Sequence, residues 1–228
     1  MENQQTFNYT AGVHRPTLSS IKPIQALVIV GDNSPSMLQE NKAEQAYAAI
    51  TELIALLADP VNQDGFLASV VYFSRQAKLQ HPISLTSKLA GKVKGFSQKL
   101  YEVGYTNITH GIEVATEVVN GFNANPPVSG GHYLPPVTIL FSDGMHNVGN
   151  GPQQAAAELK QASTLVTVGF GSDADQCLLK ELASSEQHFR HCAQGSDLRD
   201  YFFEIGTLLR KTRVAGIDAT EGLGDMNQ

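Results

Sequence analysis

Basic residues are in deficit: 16 lysines and arginines stand against 22 aspartates and glutamates, a formal charge of −6. Such a chain offers no general positive field, so nucleic-acid backbones and anionic membranes are excluded as expected partners. Cysteine is scarce as well. Cys177 and Cys192 are the only two, with no CxxC pair and no finger spacing, which excludes a thiolate metal site and predicts two unpaired thiols. No apolar run reaches the length of a bilayer span, and the opening MENQQTFNYTAGVHRP has no basic start followed by an apolar core. The expectation is a soluble, cytoplasmic protein. There is no internal repeat, and no low-complexity segment outside the tails.

What is present is a globular balance, with 42% hydrophobic and 17% charged residues over 228 positions. That length suits one domain with a substantial core. IQALVIV at 24–30 reads as a strand covered on both faces. Ala43, Ala46, Tyr47, Ile50, Leu53, Ile54 and Leu57 then repeat at three and four, predicting a helix over 38–58 that Asp59 and Pro60 stop. FLASVVYFS and AKLQHPISLT predict two strands joined by a short turn at 74–76. A weakly amphipathic helix is expected across 88–101, and a second one in which Ile112, Ala115, Val119 and Phe122 share a face. VTILFS and TLVTVGF predict buried strands, HFRHCA an edge strand, and 197–212 a closing helix with Leu198, Phe202, Ile205 and Leu209 inward. The expected organisation is a loose arm over 1–21, a domain over 22–212 and an unstructured tail over 213–228.

Strands alternating with helices imply right-handed crossovers. The fold class is therefore α/β: a doubly wound, Rossmann-like three-layer αβα sandwich, its central sheet mostly parallel with one antiparallel edge strand. In such sheets ligands sit outside the carboxyl ends of the strands. Two strands here end in an aspartate, Asp32 and Asp143, which places both carboxylates on one rim. Asp32, Ser34 and Ser36 follow at alternate positions, so that their oxygens can converge ahead of a helix. An all-oxygen set suits a hard divalent cation such as Mg²⁺ or Mn²⁺. Few carboxylates leave such an ion only partly neutralised and able to attract another anion.

Each segment also has a plain reading. Ser, Asp and Asn before a helix are ordinary caps, Thr106 with Asn107 could cap the next helix, and Asp143 with Gly144 could be a turn. The three together, in this order, resemble the von Willebrand factor A family: DNSPSM is similar to its D-x-S-x-S motif, GYTNITHG to its threonine segment and LFSDGMHN to its third segment. The resemblance spans about 22–212. It implies a metal-ion-dependent adhesion site in which the Ser34 and Ser36 hydroxyls bind the ion directly. Asp32 and Asp143 would act through water or hydrogen bonds, with Thr106 joining directly or through water. It further implies that a carboxylate of a partner protein completes the coordination, and that the module has no chemistry of its own. Pro35 stands where the family usually has glycine, which fixes one torsion between the serines. His110 and His146 lie close enough in sequence to touch a bound partner. As an intracellular, single-domain chain it resembles the prokaryotic-type members, which implies a partner from an ATPase, kinase or phosphatase of a multi-protein system, such as chelatase-like or tellurite-resistance-like assemblies.

Two other readings compete. A strand ending in aspartate also resembles the haloacid dehalogenase-like Mg²⁺-dependent phosphotransferases, where that aspartate is the nucleophile. Their second acid, two residues on, is replaced here by Ser34, and a hydroxyl cannot serve as a tuned carboxylic acid. The third reading is the same scaffold with an inactive metal site.

Overall fold

The computed structural model describes residues 22–95, 104–127, 131–143 and 145–226; the expected arm over 1–21 lies outside them. Six strands form one sheet: β1 (Gln25–Asp32), β2 (Phe66–Phe73), β3 (Ala77–Leu85), β4 (Val137–Ser142), β5 (Thr164–Phe170) and β6 (Phe189–Cys192). Their order is β3-β2-β1-β4-β5-β6. All pairings are parallel except β2 with β3, where a backbone bond from Ser74 N–H to Gln76 O closes the expected turn.

The pattern of burial explains the layers. Every residue of β1, β2, β4 and β5 is buried, as continuous aliphatic runs in a sheet covered on both faces should be. Successive side chains of a strand point to opposite faces. Leu27 and Ile29 accordingly join the core beneath α1 (Lys42–Leu57), α6 (Gly195–Ala215) and α7 (Thr220–Asp225). Val28 and Val30 pack under α3 (Ile108–Ala124), α4 (Gln153–Leu159) and α5 (Gln176–Leu182). Phe141 of β4 meets Phe202 of α6 edge to face, ring centroids 6.1 Å apart. Each fully buried aliphatic or aromatic side chain contributes about 1.5–3 kcal/mol, so this double core is what holds the rim of the sheet in place.

Three expectations need correction. The helix predicted over 38–58 is two elements: a 3-10 segment, Pro35–Asn41, precedes α1. Glu40 and Asn41 break the run with φ of 53° and 57°, a left-handed bend that Asn tolerates better than most residues. The helix predicted across 88–101 is only the turn α2 (Thr86–Leu89) where it is described; Gly91, at φ 71°, leads the chain away, and 96–103 lie outside the described residues. The tail is not unstructured. Helix α6 runs on to Ala215, Gly216 ends it in the left-handed region, and α7 follows. Asp218 Oδ1 accepts from the Thr220 N–H at 2.9 Å, and Ala219 and Leu223, one turn apart, are buried in the core. The segment's glycines and acids mask that single apolar pair.

Candidate metal centre

Strand β1 sits beside β4 at the centre of the sheet, and the chain leaves the two in opposite directions. After β1 it passes to the face of α1, and after β4 to the face of α4. A crevice opens at such a reversal, at the carboxyl ends of the strands. Asp32 and Asp143 stand on its two walls, both fully buried.

The oxygens of the crevice are linked in a chain. Ser34 Oγ and Ser36 Oγ lie 2.8 Å apart, and Ser36 Oγ donates to Asp143 Oδ1 at 2.7 Å. Asp32 Oδ1 accepts the Ser34 N–H at 2.7 Å, while its Oδ2 accepts from Ser142 Oγ at 2.5 Å. Ser34 occupies the cap position of the 3-10 segment, extended at ψ 164°, yet its side chain makes no capping bond. Its hydroxyl is turned to Ser36 instead, which argues against the plain cap. Of the two Asp143 oxygens one takes Ser36 and the other the Lys42 ammonium at 3.0 Å; Gly144, with which a turn was the plain reading, lies outside the described residues.

Thr106 is buried at the same rim. Its N–H donates to Asn147 Oδ1 at 2.9 Å and its carbonyl accepts the Asn147 N–H at 3.1 Å. This pair of bonds ties the threonine loop to the loop that follows Asp143. The cap of α3 is Asn107, whose Oδ1 accepts the His110 N–H at 3.1 Å, so the Thr106 hydroxyl is not needed for capping. The two histidines do backbone work. His110 Nδ1 accepts the Ala77 N–H at 3.0 Å, facing the start of β3, and His146 Nδ1 accepts the Ile108 N–H at 3.2 Å. Burial holds the His146 imidazole below its ordinary pKa, consistent with a neutral ring accepting that bond.

Burial, and after it the neighbouring Asp143 charge, push the Asp32 carboxyl up to about 7. Asp143 is compensated by an ion pair whose cation, Lys42, is itself buried. Sequence reading missed Lys42, Ser142 and Asn147. Lys42 did leave a signal, because it lies four residues before Ala46 and so falls on the same buried stripe of α1.

The donor set fits a hard divalent cation. It has two serine hydroxyls and a carboxylate in one hydrogen-bonded run, Ser34–Ser36–Asp143, with a second carboxylate, Asp32, held to the Ser34 N–H beside it, and every donor is an oxygen. Among the described residues no group of three or more His, Cys, Asp or Glu could hold a metal, so the hydroxyls are what such an ion would need. Both thiols are free, Cys177 exposed and Cys192 buried. No helix of the described residues is long and apolar enough to cross a membrane.

Comparison with solved structures gives the same architecture. Proximal thread matrix protein 1 of the mussel byssus is 20% identical over 82% of this chain and 47% of its own, with a TM-score of 0.61. A form of that protein described as having a zinc-occupied MIDAS motif aligns at 22% identity over 80% and 47%, with a TM-score of 0.58. The von Willebrand factor domain of the type V pili tip protein from Porphyromonas gingivalis is 14% identical over 84% and 97%, with a TM-score of 0.64. The chain thus spans about half the length of the byssus protein. No curated protein sequence matches it significantly. The model of the von Willebrand factor type A domain matches residues 26–204, more than half of the chain, and the protein belongs to that family.

Proposed function

We propose that this domain binds another protein through a divalent cation, Mg²⁺ or Mn²⁺, and carries out no chemistry of its own. The observation that carries the reading is the run Ser34–Ser36–Asp143, whose hydroxyls are spent on one another and on a carboxylate rather than on helix caps. A bound divalent cation supplies positive charge with a coordination position that a partner's carboxylate can fill. Ser34 and Ser36 would hold it, Asp32 and Asp143 would orient their hydroxyls and balance charge, and Thr106 closes the same rim. Asp32 does not suit a nucleophile: it is fully buried and both oxygens already accept hydrogen bonds.

The surroundings favour a protein partner. Leu38, Tyr105 and Met145 are 52%, 37% and 65% exposed, and each lies within two residues of Ser36, Thr106 or Asp143. Large exposed apolar side chains beside buried and half-buried polar ones resemble the make-up of an interaction surface. The partner we infer presents an aspartate or glutamate flanked by apolar residues; a protein of an ATPase, kinase or phosphatase system remains the class implied by family analogy.

The test is a display library of peptides around a fixed Asp or Glu, panned on the domain in Mg²⁺ and eluted with EDTA. Eluted sequences should keep the acid and carry apolar flanks, and should fail on Asp32→Ala. Binding that survives EDTA, or that ignores the acid, would overturn the reading.

A further inference from the structure

The buried cation beside the site is the least expected group in the fold. Lysine is almost never fully buried unless it is paired, and Lys42 is 4% exposed with its ammonium on Asp143 Oδ2 at 3.0 Å. The surrounding structure is shaped to put it there. The left-handed pair Glu40 and Asn41 ends the 3-10 segment so that α1 starts at Lys42. Gly171, after β5, leaves room for the stem, since a Cβ there would come within 3.0 Å of both Cε and Nζ. Gly171 also adopts φ 87°, which other residues rarely do.

The consequence is a matter of charge. Asp32 and Asp143 together carry at most two negative charges, and Lys42 cancels one of them. A divalent cation therefore enters a site of net charge −1 and leaves it at +1, whereas without the lysine the loaded site would be neutral. The carboxylate that orients Ser36 through one oxygen is shared, through the other, with a fixed positive charge that repels the incoming ion.

We propose that Lys42 makes cation retention depend on an acidic ligand. This rests on the metal-site reading above. The ammonium weakens cation binding in the ligand-free domain and leaves the loaded site positive, so that an added carboxylate and the cation stabilise each other, a reciprocal coupling between two ligands. Lys42 is then a specificity-determining residue: it selects anionic partners over neutral oxygen ligands.

The probe is Mn²⁺ followed by titration in chloride and in acetate at equal ionic strength, for the parent, Asp32→Ala, Lys42→Gln and Lys42→Met. Gln keeps an N–H donor for Asp143, which guards against the cost of leaving that carboxylate unpaired. For the parent, acetate should tighten Mn²⁺ binding about threefold or more. The neutral variants should bind Mn²⁺ about tenfold or more tightly in chloride and gain little from acetate. If Lys42 only positions Asp143, both neutral variants will bind Mn²⁺ as weakly as the parent or more weakly, and the inference fails while the metal site stands. If none of the chains binds Mn²⁺ better than Asp32→Ala, the metal-site reading falls and this inference with it.

Discussion

The Ser36 hydroxyl donates to Asp143 at 2.7 Å across 107 positions of sequence, joining the loop after β1 to the end of β4. Removing it should change two quantities. Ser36→Ala removes two partly buried hydrogen bonds, one of them to a carboxylate, at about 2–4 kcal/mol of stability, and takes away a candidate cation ligand. A lowered urea midpoint with the fold retained, and Mn²⁺ affinity reduced at least about tenfold, is the expected outcome. An unchanged affinity would mean that Ser36 serves only the loop.

Cation binding should register as stability. At about a hundred times its dissociation constant, an ion that binds only the folded state adds roughly 2.7 kcal/mol, or about 5–10 °C in Tm for a domain of this size. Differential scanning calorimetry in Mg²⁺, Mn²⁺ and EDTA should show this rise for the parent and none for Asp143→Ala.

The pH dependence has a definite sign. In the unfolded chain Asp32 titrates near its ordinary 3.8, and in the fold near 7. Between those values the folded state holds a proton that the unfolded state has released, so the metal-free domain loses stability as pH rises from about 4 to 7 and levels off above. A bound cation favours the carboxylate and should flatten that fall. Urea unfolding at pH 5, 6, 7 and 8, in EDTA and in saturating Mg²⁺, would show a larger Mg²⁺ benefit at the higher pH values. A benefit independent of pH would mean that Asp32 is ionised throughout.

Helix α7 should matter to the core and not to the site. Leu223→Ala empties a fully buried position and is expected to cost about 2–5 kcal/mol, leaving the Mn²⁺ dissociation constant as in the parent at temperatures where the variant is folded. A loss below about 0.5 kcal/mol would show that the helix is not docked.

Much of the site was legible because parallel strands covered on both faces read as unbroken aliphatic runs, and the residue that ends such a run marks the rim. Asp32 and Asp143 could be placed on that rim, at the ends of β1 and β4, from hydrophobicity alone. What escaped depends on single backbone angles and on long side chains. Nothing in the apolar period shows that Glu40 and Asn41 turn left-handed, so the start of α1 is set too early by the sequence and the place of Lys42 at its first turn is not visible there. The histidines near the motifs lie within reach of a partner by sequence, and the backbone role each also has was not legible there: a ring nitrogen is a good acceptor for the first N–H groups of an element. His110 and His146 are used in that way by Ala77 and Ile108.

Arg213 of α6 donates from Nε to the carbonyl of Pro23 at 2.6 Å, so the chain entering β1 and the end of the last long helix are clasped together at one pole. Asp32 stands at the other, about 25 Å away by the rise of eight strand residues. Tension between a partner held at the ion and the backbone at Pro23 would run along the axis of β1. The covalent backbone of that strand joins the two points directly, and its hydrogen bonds to β2 and β4 on both sides hold it extended between them, so such a load need not pass through the ladders. The same arrangement that gathers the site's oxygens at one end of the central strand makes that strand the molecule's tensile member.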